Sequence, residues 1–206
     1  MPRIIDISQT IQPGIIVWPG DTEYNPFWVW RMDDGDTCNV GSVTMSLHTG
    51  THADAPYHFI SDGSPISDVD LSVYIGPALV VNMSGIRSID AEAVKKIDTG
   101  GVARILFRTL SRDSATFNRD FACLTPDGAE ALVAGGIKLV GIDTPSVDQA
   151  DSKTLDSHNI LATHAVAILE NLTLEHVAPG KYELIALPLK LAGMDASPVR
   201  AVLRTE

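Results

Sequence analysis

The chain has 206 residues, with 15 Lys and Arg against 26 Asp and Glu, a formal net charge of −11, and a hydrophobic fraction of 45%. That size suits one domain, 1–206, with a core large enough to fold without a disulfide or structural metal. The acidic balance argues against a nucleic-acid partner, which would need Lys/Arg patches to displace phosphate counterions, and no apolar run approaches the ~18 residues of a membrane span.

The N-terminal MPRIIDISQT has neither a long apolar stretch nor a small-residue cleavage site, so no signal peptide is expected. The alternating residues 6–11 predict a strand, followed by a Pro/Gly-rich loop through Trp18-Pro19-Gly20-Asp21. Cys38 and Cys123 stand 85 positions apart with no CxxC pair, which fits reduced thiols in a cytoplasmic protein. Residues 40–47 (VGSVTMSL) predict a strand that runs into a histidine-rich stretch. Further strands are predicted at 76–83, 103–108, 139–142, 182–187 and 199–203. Helices are predicted at 90–97, with Asp90 as N-cap, and at 125–134, with Pro126 in the first turn. Strands with a few interspersed helices predict an α/β domain dominated by β structure, with a mixed-sheet core.

The histidine-rich stretch, LHTGTHADAPYHF, holds three of the chain's six histidines in an H-x3-H-x-D-x3-H pattern: His48, His52, Asp54 and His58. Gly50 and Pro56 argue against a helix here. In an extended strand His48 and His52 would lie roughly 13 Å apart, too far for one metal with bonds near 2 Å. If the two share a metal, the chain must turn between them, and Gly50 is the residue that permits it. Nitrogen and carboxylate donors without thiolate suit zinc, manganese or iron in a working site.

Further donors would come from downstream. His158 opens a predicted helix with Asp156 or Ser157 as its cap. Glu170 follows twelve positions later; one continuous helix would separate the two by about 18 Å. A short returning strand at 166–169 could deliver Glu170, although spacing does not compel it. His164 and His176 read as surface or helix-face residues. Trp18, Phe27, Trp28 and Trp30 cluster near the N-terminus, with at least two expected in a core or a subunit contact. Trp18 is the candidate for stacking on a substrate ring.

HTGTHADAPYHF resembles the H-x-G-T-H-x-D-x-P-x-H-F signature of the metal-dependent cyclase hydrolase superfamily. VWPGDT (17–22), GIDTPSVD (141–148), KTLDSHNIL (153–161), ILENL (168–172) and ELIALPLKLAGMDASPVRAVL (183–203) extend the resemblance over nearly the whole chain. Within the superfamily these segments are most similar to the bacterial kynurenine formamidase (arylformamidase) branch. The resemblance implies a swivelling β/α/β fold and two divalent metal ions, usually zinc. It implies His48, His52 and Asp54 on one metal, and Asp54, His158 and Glu170 on the other, with Asp54 bridging. It further implies His58 as general acid/base, Trp18 against the substrate, and a homodimer or dimer of dimers. The implied reaction is hydrolysis of N-formyl-L-kynurenine to L-kynurenine and formate in tryptophan degradation. The alternatives are a related hydrolase such as an isatin hydrolase, and a metal- or ligand-binding protein without turnover.

Overall fold

A computed structural model describes residues 2–111 and 116–205. In chain order the elements are β1 (Ile4–Asp6), β2 (Asn25–Trp30), β3 (Val40–Thr44), β4 (His52–Asp54), β5 (Ile75–Asn82), β6 (Ser88–Ile89), α1 (Ala91–Lys95), β7 (Arg104–Arg108) and β8 (Cys123–Leu124). There follow α2 (Pro126–Ala134), β9 (Leu139–Ile142), α3 (Asp156–Thr163), β10 (Ala167–Glu170), β11 (Gly180–Ile185), β12 (Ala196–Pro198) and β13 (Val202–Arg204). Nine strands form one mixed sheet in the order β1-β13-β11-β5-β7-β9-β10-β4-β12. Its centre, β5-β7-β9-β10, is parallel, and the flanking pairs are antiparallel.

The parallel strands are joined by crossovers that carry α1, α2 and α3, and α2 packs against both of the other helices. Side chains alternate along each central strand, so each serves two cores. Ile105, Phe107, Val140, Ile142 and Ile168 meet Val94, Leu132 and Leu161 of the helices. Leu106, Leu139 and Leu169 face the other way, against Ile7, Tyr74 and Leu184. Burial on both faces explains why these strands read as unbroken apolar runs.

The helix starts agree with the sequence reading. Asp90 accepts from the Ala93 amide at 2.8 Å, and the Thr125 hydroxyl from the Gly128 amide at 3.3 Å. The strand ends differ. The first strand is Ile4–Asp6 rather than 6–11: the Ile7 amide still bonds in register to Ala201 O, but the Gln9 amide turns away to Thr51 Oγ1. The predicted strand 199–203 starts later, as β13 at Val202–Arg204, with 199–201 outside it. The Val199 amide donates to Thr51 O in continuation of the β12–β4 register, so Val199 follows β12 rather than opening the strand of β13. The returning strand is present as β10. Among the described residues the hairpin of β2 and β3 pairs only with itself, and Phe27, Trp28 and Trp30 are exposed on it rather than packed in a core.

No described helix is long and apolar enough to cross a membrane. Cys38 is exposed and Cys123 buried, and both are free thiols.

Candidate metal centre

The centre forms at the carboxyl ends of the parallel strands, where crevices of α/β sheets gather loop residues. β3 ends at Thr44, short of the predicted 47, and the chain turns through residues 47–51 before entering β4. Gly50 sits in this turn at φ +66°, a left-handed conformation that glycine adopts without strain. The turn brings the rings of His48 and His52 to 4.9 Å between centroids. The His52 and Asp54 side chains, two apart on β4, share one face of the strand. Strand pairing supplies Glu170, which lies directly opposite His52 in the antiparallel β4–β10 register.

Asp54 is the buried hub. Its Oδ1 lies 3.2 Å from His48 Nδ1 and 3.4 Å from His52 Nε2, while Oδ2 lies 3.6 Å from His158 Nε2. Glu170 closes the cluster, with Oε1 at 3.3 Å from His158 Nε2 and Oε2 at 3.5 Å from His52 Nε2. The Val147 amide donates to Glu170 Oε1 at 2.8 Å and holds that carboxylate in place.

Each histidine of the cluster turns one nitrogen inward and ties the other to an oxygen behind it. His52 Nδ1 donates to Gly50 O at 2.8 Å, His48 Nε2 to Asp195 Oδ2 at 3.0 Å, and His158 Nδ1 to Asp148 Oδ2 at 2.7 Å. Those outer bonds fix the tautomer, so in the neutral ring the inward nitrogen presents a lone pair. His58 is tied by Nδ1 to the same Asp195 oxygen at 3.3 Å, and its ring lies 4.2 Å from that of His48.

The donor set fits divalent cations. His52 Nε2 and both carboxylate oxygens of Asp54 are buried and have no hydrogen-bond partner, whereas buried polar atoms are normally paired. Two trios of ligand atoms, from His48, Asp54 and His58 and from His52, Asp54 and Glu170, each lie mutually within 4.8 Å. His158 is in neither trio but reaches both carboxylates at the distances above.

Electrostatics follow from this crowding. Burial alone would lower the pKa of His52, but the carboxylates of Asp54 and Glu170 outweigh it and raise the value to about 10. Burial likewise opposes a charge on His158, yet Asp148, Asp54 and Glu170 hold its pKa well above the ordinary value. Burial would raise Asp54, and contact with His158, His48 and His52 instead pulls it well below the usual carboxylate range.

His48, His52, His58, His158 and Glu170 line a cavity of about 620 Å³ whose wall carries Trp18. Phe117 meets Trp18 edge to face at 5.0 Å. The structure thus brings all seven predicted site residues to one cavity or the cluster beneath it. His164 and His176 lie elsewhere, bonded to the backbone oxygens of Ile160 and Asp6.

One local expectation fails. Neither Asp156 nor Ser157 caps α3. The residue before the helix, Leu155, has φ +48° and makes no cap bond, and Asp148 instead accepts from the amides of Ser157 and His158, each at 3.0 Å. Spacing gave no sign of Asp148, Asp195 or Phe117; the first two fall only within segments that carry the family resemblance.

The sequence pattern of the putative cyclase family matches residues 5–149. The chain belongs to the cyclase family. Among its relatives, a kynurenine formamidase of Bacillus anthracis is 47% identical over 201 residues, covering 97% of this chain and 96% of the relative. A kynurenine formamidase of Bacillus cereus is similar to the same extent. A solved structure described as a potential metal-dependent hydrolase with cyclase activity superimposes with a TM-score of 0.86 at 26% identity, covering 100% of this chain and 99% of the other. Isatin hydrolase A from Labrenzia aggregata shares the cyclase fold, with a TM-score of 0.87 at 23% identity over 99% of this chain and 94% of its own.

Proposed function

We propose that this chain is an arylformamidase that hydrolyses N-formyl-L-kynurenine to L-kynurenine and formate in tryptophan degradation. The observation that carries the proposal is near-full-length likeness to kynurenine formamidases in a chain whose buried His and carboxylate cluster opens into an aromatic-walled cavity. The whole chain acts as one hydrolase domain in the cytoplasm, as a homodimer or dimer of dimers.

Two zinc ions are the proposed cofactors. His48, His52 and Asp54 would hold one, and Asp54, His158 and Glu170 would hold the other. The assignment is the one the family resemblance implies, and it is supported by the inward nitrogens and by Asp54, whose Oδ1 faces His48 and His52 while Oδ2 faces His158. When bound, such ions lower the pKa of water and polarise a carbonyl.

His58 is the proposed general acid/base. Its Nδ1 is engaged by Asp195, so Nε2 is the nitrogen left to move a proton. It takes a proton from the attacking water as the new C–O bond forms at the formyl carbon. It returns the proton to the arylamine nitrogen as the C–N bond breaks, and the released formic acid ionises to formate. Trp18 stacks on the aryl ring and orients the formamide toward the cluster.

The test is metal content per chain measured beside turnover of N-formyl-L-kynurenine and of isatin, with and without chelator. The expected result is turnover of the formamide, lost on chelation and restored by zinc. Preference for isatin would place the chain among the related hydrolases. Full metal content with no turnover of either compound would make it a binding protein.

A further inference from the structure

Asp195 is neither a proposed metal ligand nor the proposed acid/base, yet it touches one of each. It lies one residue before β12, and the main chain on both of its sides is pinned to the segment that carries His58. The Ala55 amide donates to Asp195 O and the Ile66 amide to Met194 O, each at 2.9 Å. The side chain is held at a set distance from the 55–66 segment, with 39% of its surface exposed.

A single oxygen, Asp195 Oδ2, accepts from His48 Nε2 at 3.0 Å and from His58 Nδ1 at 3.3 Å. The other ring nitrogen of His48 is committed to the cluster, 3.2 Å from Asp54 Oδ1. The ring of His58 has no other hydrogen bond among the described residues. It is partly exposed, and its ring neighbours are His48 at 4.2 Å, Phe59 at 5.8 Å and His158 at 6.4 Å between centroids. Ring contacts restrict where an imidazole lies but do not choose which nitrogen carries the proton. A carboxylate can only accept, so it makes that choice for both rings.

We infer that Asp195 is a positioning residue for the reaction, one carboxylate oxygen that sets the tautomer and orientation of His58 and locks His58 to the metal-side ring of His48. The inference rests on the proposed acid/base role of His58. Coupling the two rings through one atom keeps Nε2 of His58 registered to the cluster, where a loosely held ring would sample several orientations. Asp195 does not itself exchange protons with substrate.

The experiment compares wild type, Asp195→Ala and Asp195→Asn, each loaded with zinc. Turnover of N-formyl-L-kynurenine is read beside metal content and the nitrogen chemical shifts of 15N-labelled histidine at alkaline pH. In Asp195→Ala, kcat is expected to fall by about 10- to 100-fold, the usual range for an outer-shell partner. KM is expected to stay within about twofold, because no substrate contact is removed. Asn keeps an accepting oxygen but can also turn an N–H donor toward either ring, so Asp195→Asn should recover only part of the lost kcat. The leaving group gives a second axis. An aryl formate ester with a nitrophenolate leaving group departs without protonation, so Asp195→Ala should slow it less than it slows the formamide.

The nitrogen spectrum stands apart from activity. Wild type should show His58 protonated at Nδ1, and Asp195→Ala a mixture of tautomers. An unchanged His58 tautomer in Asp195→Ala, an unchanged kcat, or a loss confined to metal content would each overturn the inference. Failure of wild type to hydrolyse the formamide would instead refute the proposed function, and the tautomer comparison would still decide what Asp195 does.

Discussion

Asp148 binds His158 twice, through the backbone and through the ring. Its Oδ2 accepts from the His158 amide at 3.0 Å and from ring Nδ1 at 2.7 Å, while Oδ1 accepts from the Ser157 amide. One buried carboxylate therefore caps the start of α3 and aims the ring at the cluster. Burial would raise its pKa, but the bonds from His158 and Ser157 hold it below the ordinary carboxylate value.

Replacing Asp148 by Ala should damage stability and metal binding together. Loss of the helix cap and of the partner to buried donors should cost about 2–4 kcal/mol by chemical denaturation. Zinc affinity should fall about 10- to 100-fold, because the ring of His158 loses its fixed tautomer. A stability loss with unaltered zinc affinity would show that Asp148 serves the helix alone.

Metal and protons should compete for the cluster. His52, at about 10, and His158 hold protons at neutral pH in the metal-free protein. Binding must displace them, so calorimetry in buffers of different ionisation enthalpy should show net proton release, with affinity rising with pH. The stability of the metal-free protein follows from the same shifts. A raised histidine stabilises the fold fully below its unfolded value of 6.5 and loses that contribution as pH climbs through about 10. Asp54 and Glu170 are lowered from 3.8 and 4.5, so their contribution holds above those values and is lost in acid. The metal-free Tm should therefore fall from pH 6.5 toward 10, while the zinc-loaded Tm stays level there. Parallel curves for the two forms would reject this linkage.

The sequence made some of this centre legible and hid the rest for identifiable reasons. The turn between His48 and His52 followed from reach, since no extended chain brings the two side chains to one ion, and Gly50 marked where it falls. The arrival of Glu170 was not compelled, because it depends on the β4–β10 register, a pairing between segments more than a hundred residues apart. Asp148 and Asp195 were hidden for the same reason. An acceptor behind a ligand leaves no periodicity, and Asp195 stands 147 positions from the His48 it orients. Among the strands, the buried parallel runs were plain from their unbroken apolar residues. The β2 half of the hairpin was not, since NPFWVW carries large apolar side chains on both faces and so has no alternation to read.

That hairpin should be a subunit contact. Trp28 is 58% and Trp30 53% exposed, with Phe27 and Val29 near half exposure beside them. An apolar group of this kind is rarely left to water in a monomer. The double substitution Trp28→Ser with Trp30→Ser should shift the sedimentation of the protein from dimer or tetramer toward monomer. The monomer should keep its fold, because neither tryptophan belongs to the two buried cores. Unchanged sedimentation would place the assembly contact elsewhere.

Trp18 should govern affinity for the aryl group rather than the chemistry. It lies on the cavity wall with its ring edge to face with Phe117 at 5.0 Å, and it makes no contact with the His and carboxylate cluster that the structure records. An aromatic contact of this kind contributes on the order of 0.5–1.5 kcal/mol beyond the area it buries, and 1.4 kcal/mol is about tenfold in affinity. Trp18→Ala should therefore raise KM for N-formyl-L-kynurenine about tenfold, with kcat within about threefold of wild type and zinc content unchanged. Trp18→Phe should restore much of the affinity, since it keeps a ring face. A formamide with no aryl group supplies the control, because its weak turnover should be the same in wild type and Trp18→Ala. If that small substrate suffers as much as the aryl one, Trp18 is supporting the metal cluster or the fold, and the ring of the substrate binds against another wall.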